Sequence, residues 1–294
     1  MKLTNKSVNI LHGDVVATKI KDAVKAEVQL LRRKPCLAVI MVGNNSASTV
    51  YVRNKIKACE YAGIDSITIN IDDVGDPRVI QESILEEIKI LNKNSKVNGI
   101  LVQLPLPQGV DKDLIINSID INKDVDCFHP YNIGKLYNKS AIFKPCTPAG
   151  IVEILKYYDI DIAGKNCVIV GRSDIVGKPM SQLMLHEDAT VTICHSRTKD
   201  LKSITKKADI LISAIGSAKF IKSDMVSNDT VIIDVGMNRD ENNKLCGDVD
   251  FDNVVSRRKN ISITPVPGGV GLTTVAMLLQ NTVNSYKIQN KLML

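Results

Sequence analysis

The chain has no tryptophan, and only 4% of its 294 residues are aromatic. With so few stacking rings, a surface for single-stranded nucleic acid has little to work with, and no nucleic-acid partner is expected. Seven cysteines, at positions 36, 59, 127, 146, 167, 194 and 246, form no Cys-x-x-Cys pair. Four histidines, at 12, 129, 186 and 195, show no paired ligand spacing. Neither a metal site nor a disulfide framework is therefore expected, and thiols lying in apolar runs suit a reducing compartment. No apolar run approaches the roughly 20 residues of a membrane span. The N-terminus, Met1-Lys-Leu-Thr-Asn-Lys6, is too polar for a signal peptide. These absences predict a cytoplasmic protein without a membrane segment.

What is present suits a globular α/β protein. A hydrophobic content of 44% supplies buried cores, and 294 residues are comfortable for two domains. The net charge of +6 comes from lysines scattered over the whole length. It fits a polyanionic small substrate or cofactor, or simply a solvated lysine-rich surface.

Strand-like and helix-like stretches alternate along the chain. Val16, Ile20, Val24, Val28 and Leu31 keep helical spacing, and Cys36 to Val42 is a compact apolar strand. A helix over Ser46 to Ala62 stops at Gly63, as helices often do. A strand at Ile67–Ile71, a helix at Val79–Leu91, a strand at Gly99–Val102 and a short helix at Asp111–Ile119 follow. This order predicts parallel βαβ units. A boundary is expected at Lys144-Pro145-Cys-Thr147-Pro148, with Thr147 as N-cap and Pro148 in the first helical position. Beyond it, strands are expected at 167–170, 190–194, 209–213, 231–235 and 261–264, then a last helix from about Thr273 to Tyr286.

The most telling stretch is Val168-Ile-Val-Gly171-Arg172-Ser173-Asp-Ile175-Val-Gly177. A β-branched strand runs into a glycine turn and then a helix start, whose N–H groups can cradle a pyrophosphate. The usual dinucleotide fingerprint has a second glycine where Ser173 stands. An NAD site would also place an acid about 20 residues after the first glycine, for the ribose 2′-hydroxyl. Here the next strand ends in His195-Ser196-Arg197-Thr198, which suits a 2′-phosphate, so NADP is the expected cofactor. The alternative is an ordinary αβ turn beside a solvated basic loop.

Tyr51 and Lys55 are four apart and share one helix face, where a ring and an amine can line a binding site. A surface helix with an outstretched lysine would look the same. Gln103 follows the strand ending at Val102, at the carboxyl edge where ligands bind in α/β sheets, and it could meet Lys55 or a ligand. A stiff loop set by Pro105 and Pro107 is the plainer reading. Within Lys123-Asp124-Val-Asp126, Asp126 could pair with an amino-heterocycle, or either acid could cap a turn. The loop Pro265-Val-Pro267-Gly268-Gly269-Val-Gly271 can bring backbone close to a flat ligand.

Taken in order, these segments resemble the bifunctional methylenetetrahydrofolate dehydrogenase/cyclohydrolase family. The likeness runs through Tyr51-Val-Arg-Asn-Lys55, Gln103-Leu-Pro-Leu-Pro107, Lys123-Asp-Val-Asp126 and Pro145-Cys-Thr-Pro148. It continues through Gly171-Arg-Ser173, Val176-Gly-Lys-Pro179, His195-Ser-Arg-Thr198, Asp234-Val-Gly-Met-Asn238, Gly247-Asp-Val249 and Pro265 to Gly271. No single motif is decisive; the ordered set is specific.

The resemblance implies a two-domain α/β fold. An N-terminal catalytic domain over 1–145, completed by a C-terminal helix over 273–294, would bind folate, and 146–272 would be a Rossmann-like NADP-binding domain with a parallel sheet. It implies oxidation of 5,10-methylenetetrahydrofolate with NADP+ to the methenyl cation, then hydrolysis to 10-formyltetrahydrofolate, in a cleft between the domains. Lys55 would be the central acid/base group, Gln103 would orient it, Tyr51 would line the folate site and Asp126 would hold the pterin head. Arg172 and Ser196 would contact the 2′-phosphate, with Gly171, Ser173, Ile175, Gly177 and Arg197 around the cofactor. Pro267, Gly268 and Gly269 would touch substrate. Tetrahydrofolate derivatives, polyglutamylated forms included, a homodimeric assembly and a place in one-carbon metabolism and purine biosynthesis follow by the same resemblance. The chain departs from the family pattern in three places: Cys127 stands for a glycine, His12 for an aspartate, and Leu272-Thr273 for Pro-Met. A monofunctional dehydrogenase, for this folate or a shikimate-like substrate, is one rival. A silent dinucleotide-binding protein is the other.

Overall fold

A computed structural model describes residues 7–43 and 46–292. In chain order the elements are β1 (Val8–Ile10), α1 (Gly13–Gln29), β2 (Cys36–Val42), α2 (Ser46–Ala62), β3 (Asp65–Ile71), α3 (Pro77–Lys93) and β4 (Gly99–Val102). Then come α4 (Lys112–Asn117), α5 (Pro130–Tyr137), α6 (Cys146–Tyr157), β5 (Asn166–Val170), α7 (Gly177–His186), β6 (Thr190–Cys194), α8 (Leu201–Thr205) and β7 (Ile210–Ser213). The chain closes with β8 (Val231–Asp234), β9 (Asn238–Arg239), β10 (Leu245–Cys246), α9 (Phe251–Arg257), β11 (Ile261–Ile263) and α10 (Val270–Gln289). No helix among the described residues is long and apolar enough to cross a membrane. All seven cysteines are free thiols and buried.

The elements divide into two compact units. One runs from Thr18 to Cys146 and takes in most of α10, from Val275 onward. Its three strands are parallel in the order β3-β2-β4. The central strand β2 is apolar throughout because both of its faces are covered. Its period of two splits the core: Leu37, Val39 and Met41 pack with Val24, Val52, Cys59 and Leu279, whereas Ala38 and Ile40 pack with Ile80, Ile84 and Ile88. Helix α3 meets that second face through Ile80, Ile84, Ile88 and Leu91, one stripe at helical spacing. Asp76 caps its start by accepting from the Arg78 N–H at 2.9 Å.

The other unit comprises Thr147–Thr274 and the described residues up to Ala17. Six of its strands form one parallel sheet, in the order β1-β11-β8-β7-β5-β6, while β9 and β10 pair antiparallel apart from it. The winding reverses between β5 and β7, since β6 lies on one side of β5 and the later strands on the other. In such sheets the crevice outside the carboxyl ends at the reversal is the ligand site.

The partition differs from the expected boundaries at the N-terminus. Val8–Ile10 adds to the edge of the second sheet, in register with Ile261–Ile263, so the first segment goes with that unit and not with residues 18–146. Three residues carry too little alternation for the strand to be visible in sequence. The start of α6 also differs: Cys146 is already helical, and the Thr147 hydroxyl lies 3.1 Å from that of Thr274.

Candidate active site

Helix α2 is anchored through Val52 and Cys59 on its buried stripe. Tyr51 and Lys55 occupy the neighbouring stripe and are half-buried. Burial raises the Tyr51 hydroxyl above its ordinary value, so the phenol keeps its proton at neutral pH. Gln103 follows β4, and its N–H donates to the Ile40 carbonyl at 2.8 Å, extending the sheet by one residue. Its side chain is oriented from both ends. The Lys55 ammonium donates to Gln103 Oε1 at 3.0 Å, while Gln103 Nε2 donates to the Leu104 carbonyl at 2.6 Å. A helix face and a strand terminus are thereby joined by one hydrogen bond.

The run from Lys123 to Asp126 divides its duties. The Lys123 ammonium is buried and donates to the carbonyls of Leu91, Asn92 and Asn94, closing the C-terminal end of α3. Asp124 holds the turn that leads into α5, accepting from the N–H groups of Phe128 and His129 and from Asn132 Nδ2. The capping acid is therefore Asp124. Asp126 is half-buried in the field of Lys55; burial pushes its carboxyl up, the Lys55 charge draws it back, and Asp124 pushes it up further. Cys127 keeps the left-handed backbone that glycine would favour, at φ 60°, and its fully buried thiol donates to the Phe143 carbonyl at 3.4 Å.

In the other unit, Gly171 ends β5 with φ 130° and donates its N–H to the Cys194 carbonyl at 2.9 Å. A Cβ there would lie 2.2 Å from the Ala214 carbonyl oxygen, and one on Gly177 would lie 2.2 Å from the Gly171 oxygen. Only glycine permits this close turn. Ser173, standing where the fingerprint has glycine, accepts through Oγ from the N–H groups of Val176 and Gly177 at 3.2 and 3.3 Å. Ile175 is half-buried beside it.

Val170 and Cys194 are paired across β5 and β6, so Arg172 and Ser196 each stand two residues past matched strand ends. Arg172, Ser196 and Arg197 are all exposed. The β6 turn is held by the His195 N–H on Thr198 Oγ1 at 2.8 Å and the Arg197 N–H on His195 Nδ1 at 3.1 Å. A glycine cradle with basic and hydroxyl groups beyond the second strand fits a 2′-phosphorylated dinucleotide.

The glycine loop is tighter than its sequence implied, because Val270 and Gly271 already belong to α10. Gly268 has φ 104°, and its carbonyl accepts from the Gly13 N–H at 2.8 Å. A Cβ on Gly13 would meet the Gly269 oxygen at 2.1 Å. Gly269 is buried, Gly268 is half-buried, and Pro267 is exposed. Sequence patterns assigned no role to Ala214–Ser217, the segment that abuts Gly171. Its one visible signal was Gly216 just past a strand end.

Models of two domains match the chain: the tetrahydrofolate dehydrogenase/cyclohydrolase catalytic domain over residues 11–126, and the NAD(P)-binding domain of the same family over residues 145–290. The bifunctional protein FolD of Agathobacter rectalis is 55% identical over 282 residues, 95% of this chain and 99% of that one. The crystal structure of the bifunctional methylenetetrahydrofolate dehydrogenase/cyclohydrolase from Campylobacter jejuni superposes with a TM-score of 0.89 at 46% identity, covering 96% of this chain and 99% of that one. The Trypanosoma brucei enzyme, complexed with NADP cofactor and an inhibitor, has a TM-score of 0.89 at 36% identity, covering 98% and 100%. The chain belongs to the tetrahydrofolate dehydrogenase/cyclohydrolase family.

Proposed function

We propose that this chain oxidises 5,10-methylenetetrahydrofolate with NADP+ to the methenyl cation and hydrolyses that cation to 10-formyltetrahydrofolate. The observation that supports the reading most is the 3.0 Å bond from Lys55 Nζ to Gln103, which holds an amine at a strand terminus, the kind of group that proton transfer needs. A silent binding protein has no use for that arrangement.

NADP+, when bound, supplies the hydride acceptor. Arg172 and Ser196 hold its 2′-phosphate, while Gly171, Ser173, Ile175, Gly177 and Arg197 surround the rest. Asp126 accepts hydrogen bonds from the amino-heterocycle of the pterin, Tyr51 offers its ring to the folate, and Pro267, Gly268 and Gly269 present backbone to it. Oxidation needs alignment above all, because nitrogens on both sides of the reacting carbon stabilise the cation. Hydrolysis needs protons moved: water adds to the methenyl carbon and loses a proton, the ring nitrogen gains one as its bond to that carbon breaks, and the adduct's hydroxyl proton leaves to solvent as the formyl C=O forms. Acting as the neutral amine, Lys55 takes the first proton and returns the second, and Gln103 keeps that amine in place.

Polyglutamylated tetrahydrofolates are substrates on this reading, and the product feeds formyl-transfer steps such as those of purine biosynthesis. The seven buried thiols suit a cytoplasmic protein. The assembly is a homodimer, which sedimentation of the purified chain would check.

The decisive assay supplies 5,10-methylenetetrahydrofolate with NADP+ or NAD+ and follows methenyl absorbance and reduced cofactor together. Both activities, with NADP+ preferred, are expected. A methenyl product that decays only at the uncatalysed rate would mean a monofunctional dehydrogenase, and no turnover would mean a binding protein.

A further inference from the structure

The crevice at the β5/β7 reversal has two walls. One is the Gly171–Gly177 turn; the other is Ala214–Ser217, which leaves β7 and touches the first where Gly171 lacks a side chain, 2.2 Å separating a built Cβ from the Ala214 oxygen. Ile215, Gly216 and Ser217 are exposed. Left to itself, an exposed segment that includes Gly216 would sample many conformations.

This segment is tied to a single buried carboxylate. The N–H of Ile215 donates to Asp248 Oδ2 at 2.7 Å, and those of Gly216 and Ser217 donate to Oδ1 at 3.1 and 2.9 Å. The Ser213 hydroxyl and Asn238 Nδ2 donate to the same carboxylate at 3.3 and 2.9 Å. Asp248 is 0% exposed, so its desolvation is offset by these donors. Its own position is fixed in turn. The Asp248 N–H donates to Asp234 Oδ1 at 2.9 Å, and the Ile221 N–H donates to the Asp248 carbonyl at 2.9 Å. Gly236 must be glycine, because a Cβ there would lie 2.3 Å from Asp248 Oδ1.

Three successive amides turned inward onto one anion leave the outer side of the segment with a single set conformation. Three of the donors to this buried carboxylate are successive amides of an exposed loop, an arrangement that makes sense where that loop's shape matters to a ligand. We infer that Asp248 is a positioning residue for the cofactor: it sets Ala214–Ser217 as the second wall of the dinucleotide crevice. The inference rests on the NADP-dependent reading above, and it assigns Asp248 no part in hydrolysis of the methenyl cation.

The test compares wild type with Asp248→Asn, and with the milder Ser213→Ala and Asn238→Ala, which each remove one donor. Three readouts are taken: NADP+ affinity by calorimetry, amide hydrogen exchange at residues 215–217, and hydrolysis of methenyltetrahydrofolate supplied directly without cofactor. Asp248→Asn should weaken NADP+ binding by about tenfold or more, speed exchange at those amides and retain hydrolysis. The milder variants should move the first two readouts in the same direction by less, and they carry the test if Asp248→Asn does not fold. Faster exchange with unchanged NADP+ affinity overturns the inference. So does a parallel loss of NADP+ affinity and hydrolysis in the milder variants, which would mark a purely structural carboxylate. Wild-type protein that binds no NADP+ would instead overturn the functional reading itself.

Discussion

Lys55 Nζ and Gln103 Oε1 are 3.0 Å apart, although 48 positions separate them in the chain. The amide cannot turn away, because its nitrogen is engaged by the Leu104 carbonyl. Gln103 thus presents an acceptor, never a donor, to the lysine. Gln103→Ala should release the amine and lower hydrolysis by about tenfold to a hundredfold, the usual result of a displaced catalytic group. The folate KM should change much less. Steady-state kinetics with methenyltetrahydrofolate checks this, and an unchanged kcat would remove the positioning role.

On the proposed reading, cofactor choice rests on Arg172 and Ser196. A charge-assisted bond to the 2′-phosphate is worth roughly 1.5–3 kcal/mol, about tenfold or more in affinity. Arg172→Ala should therefore weaken NADP+ far more than NAD+. Equal losses for the two cofactors, measured by calorimetry, would contradict the assignment.

If Asp126 holds the pterin head as proposed, it must be ionised to accept from it, and burial has raised its pKa. Folate binding should accordingly weaken as pH falls, beginning at a higher pH than an ordinary carboxylate would give. Asp126→Asn should flatten that pH dependence and impair both reactions while NADP+ affinity stays close to wild type. A pH profile of the folate KM that is the same in wild type and variant would rule out this role.

Asp234 makes a separate, structural prediction. Burial raises its carboxyl from 3.8 to about 7, against the pull of N–H groups from Gly236, Asp248 and Val249. The folded state then binds more protons than the unfolded state between those values, so stability falls as pH rises through that window and levels off above about 7. Thermal melts across the window should show wild type losing stability relative to Asp234→Asn. A constant difference in melting temperature would mean the group is ionised throughout.

Much of the fold was legible where glycine punctuates long periodic runs. Helix α2 and strands β2, β4 and β6 lie where apolar pattern and turn residues placed them. Strand β1 and the two-residue strands β9 and β10 were not, since so short an element shows no period. Lys55, Gln103 and Asp126 stood out by residue type and by their place on a helix face or near a strand end. The sequence could not say which acid of the Asp124–Asp126 pair caps the turn, because that depends on where the N–H groups of Phe128 and His129 point after folding. Asp248 was hidden for a similar reason. Its partners at 213–217 lie some thirty positions upstream and meet it only in the folded chain.

The most direct measurement is the absorbance time course of methenyltetrahydrofolate in Lys55→Gln, with NADPH formation followed in parallel. Glutamine is uncharged and reaches almost as far as lysine, so much of the alignment for hydride transfer should survive, but it cannot shuttle a proton. A positioned acid/base group is typically worth about 10²–10⁴-fold. Hydrolysis should fall by that order while NADPH still forms, so the methenyl intermediate accumulates. Decay of the intermediate at the wild-type rate would show that Lys55 is not the proton-transfer group, and equal loss of both activities would reduce it to a folate-positioning residue.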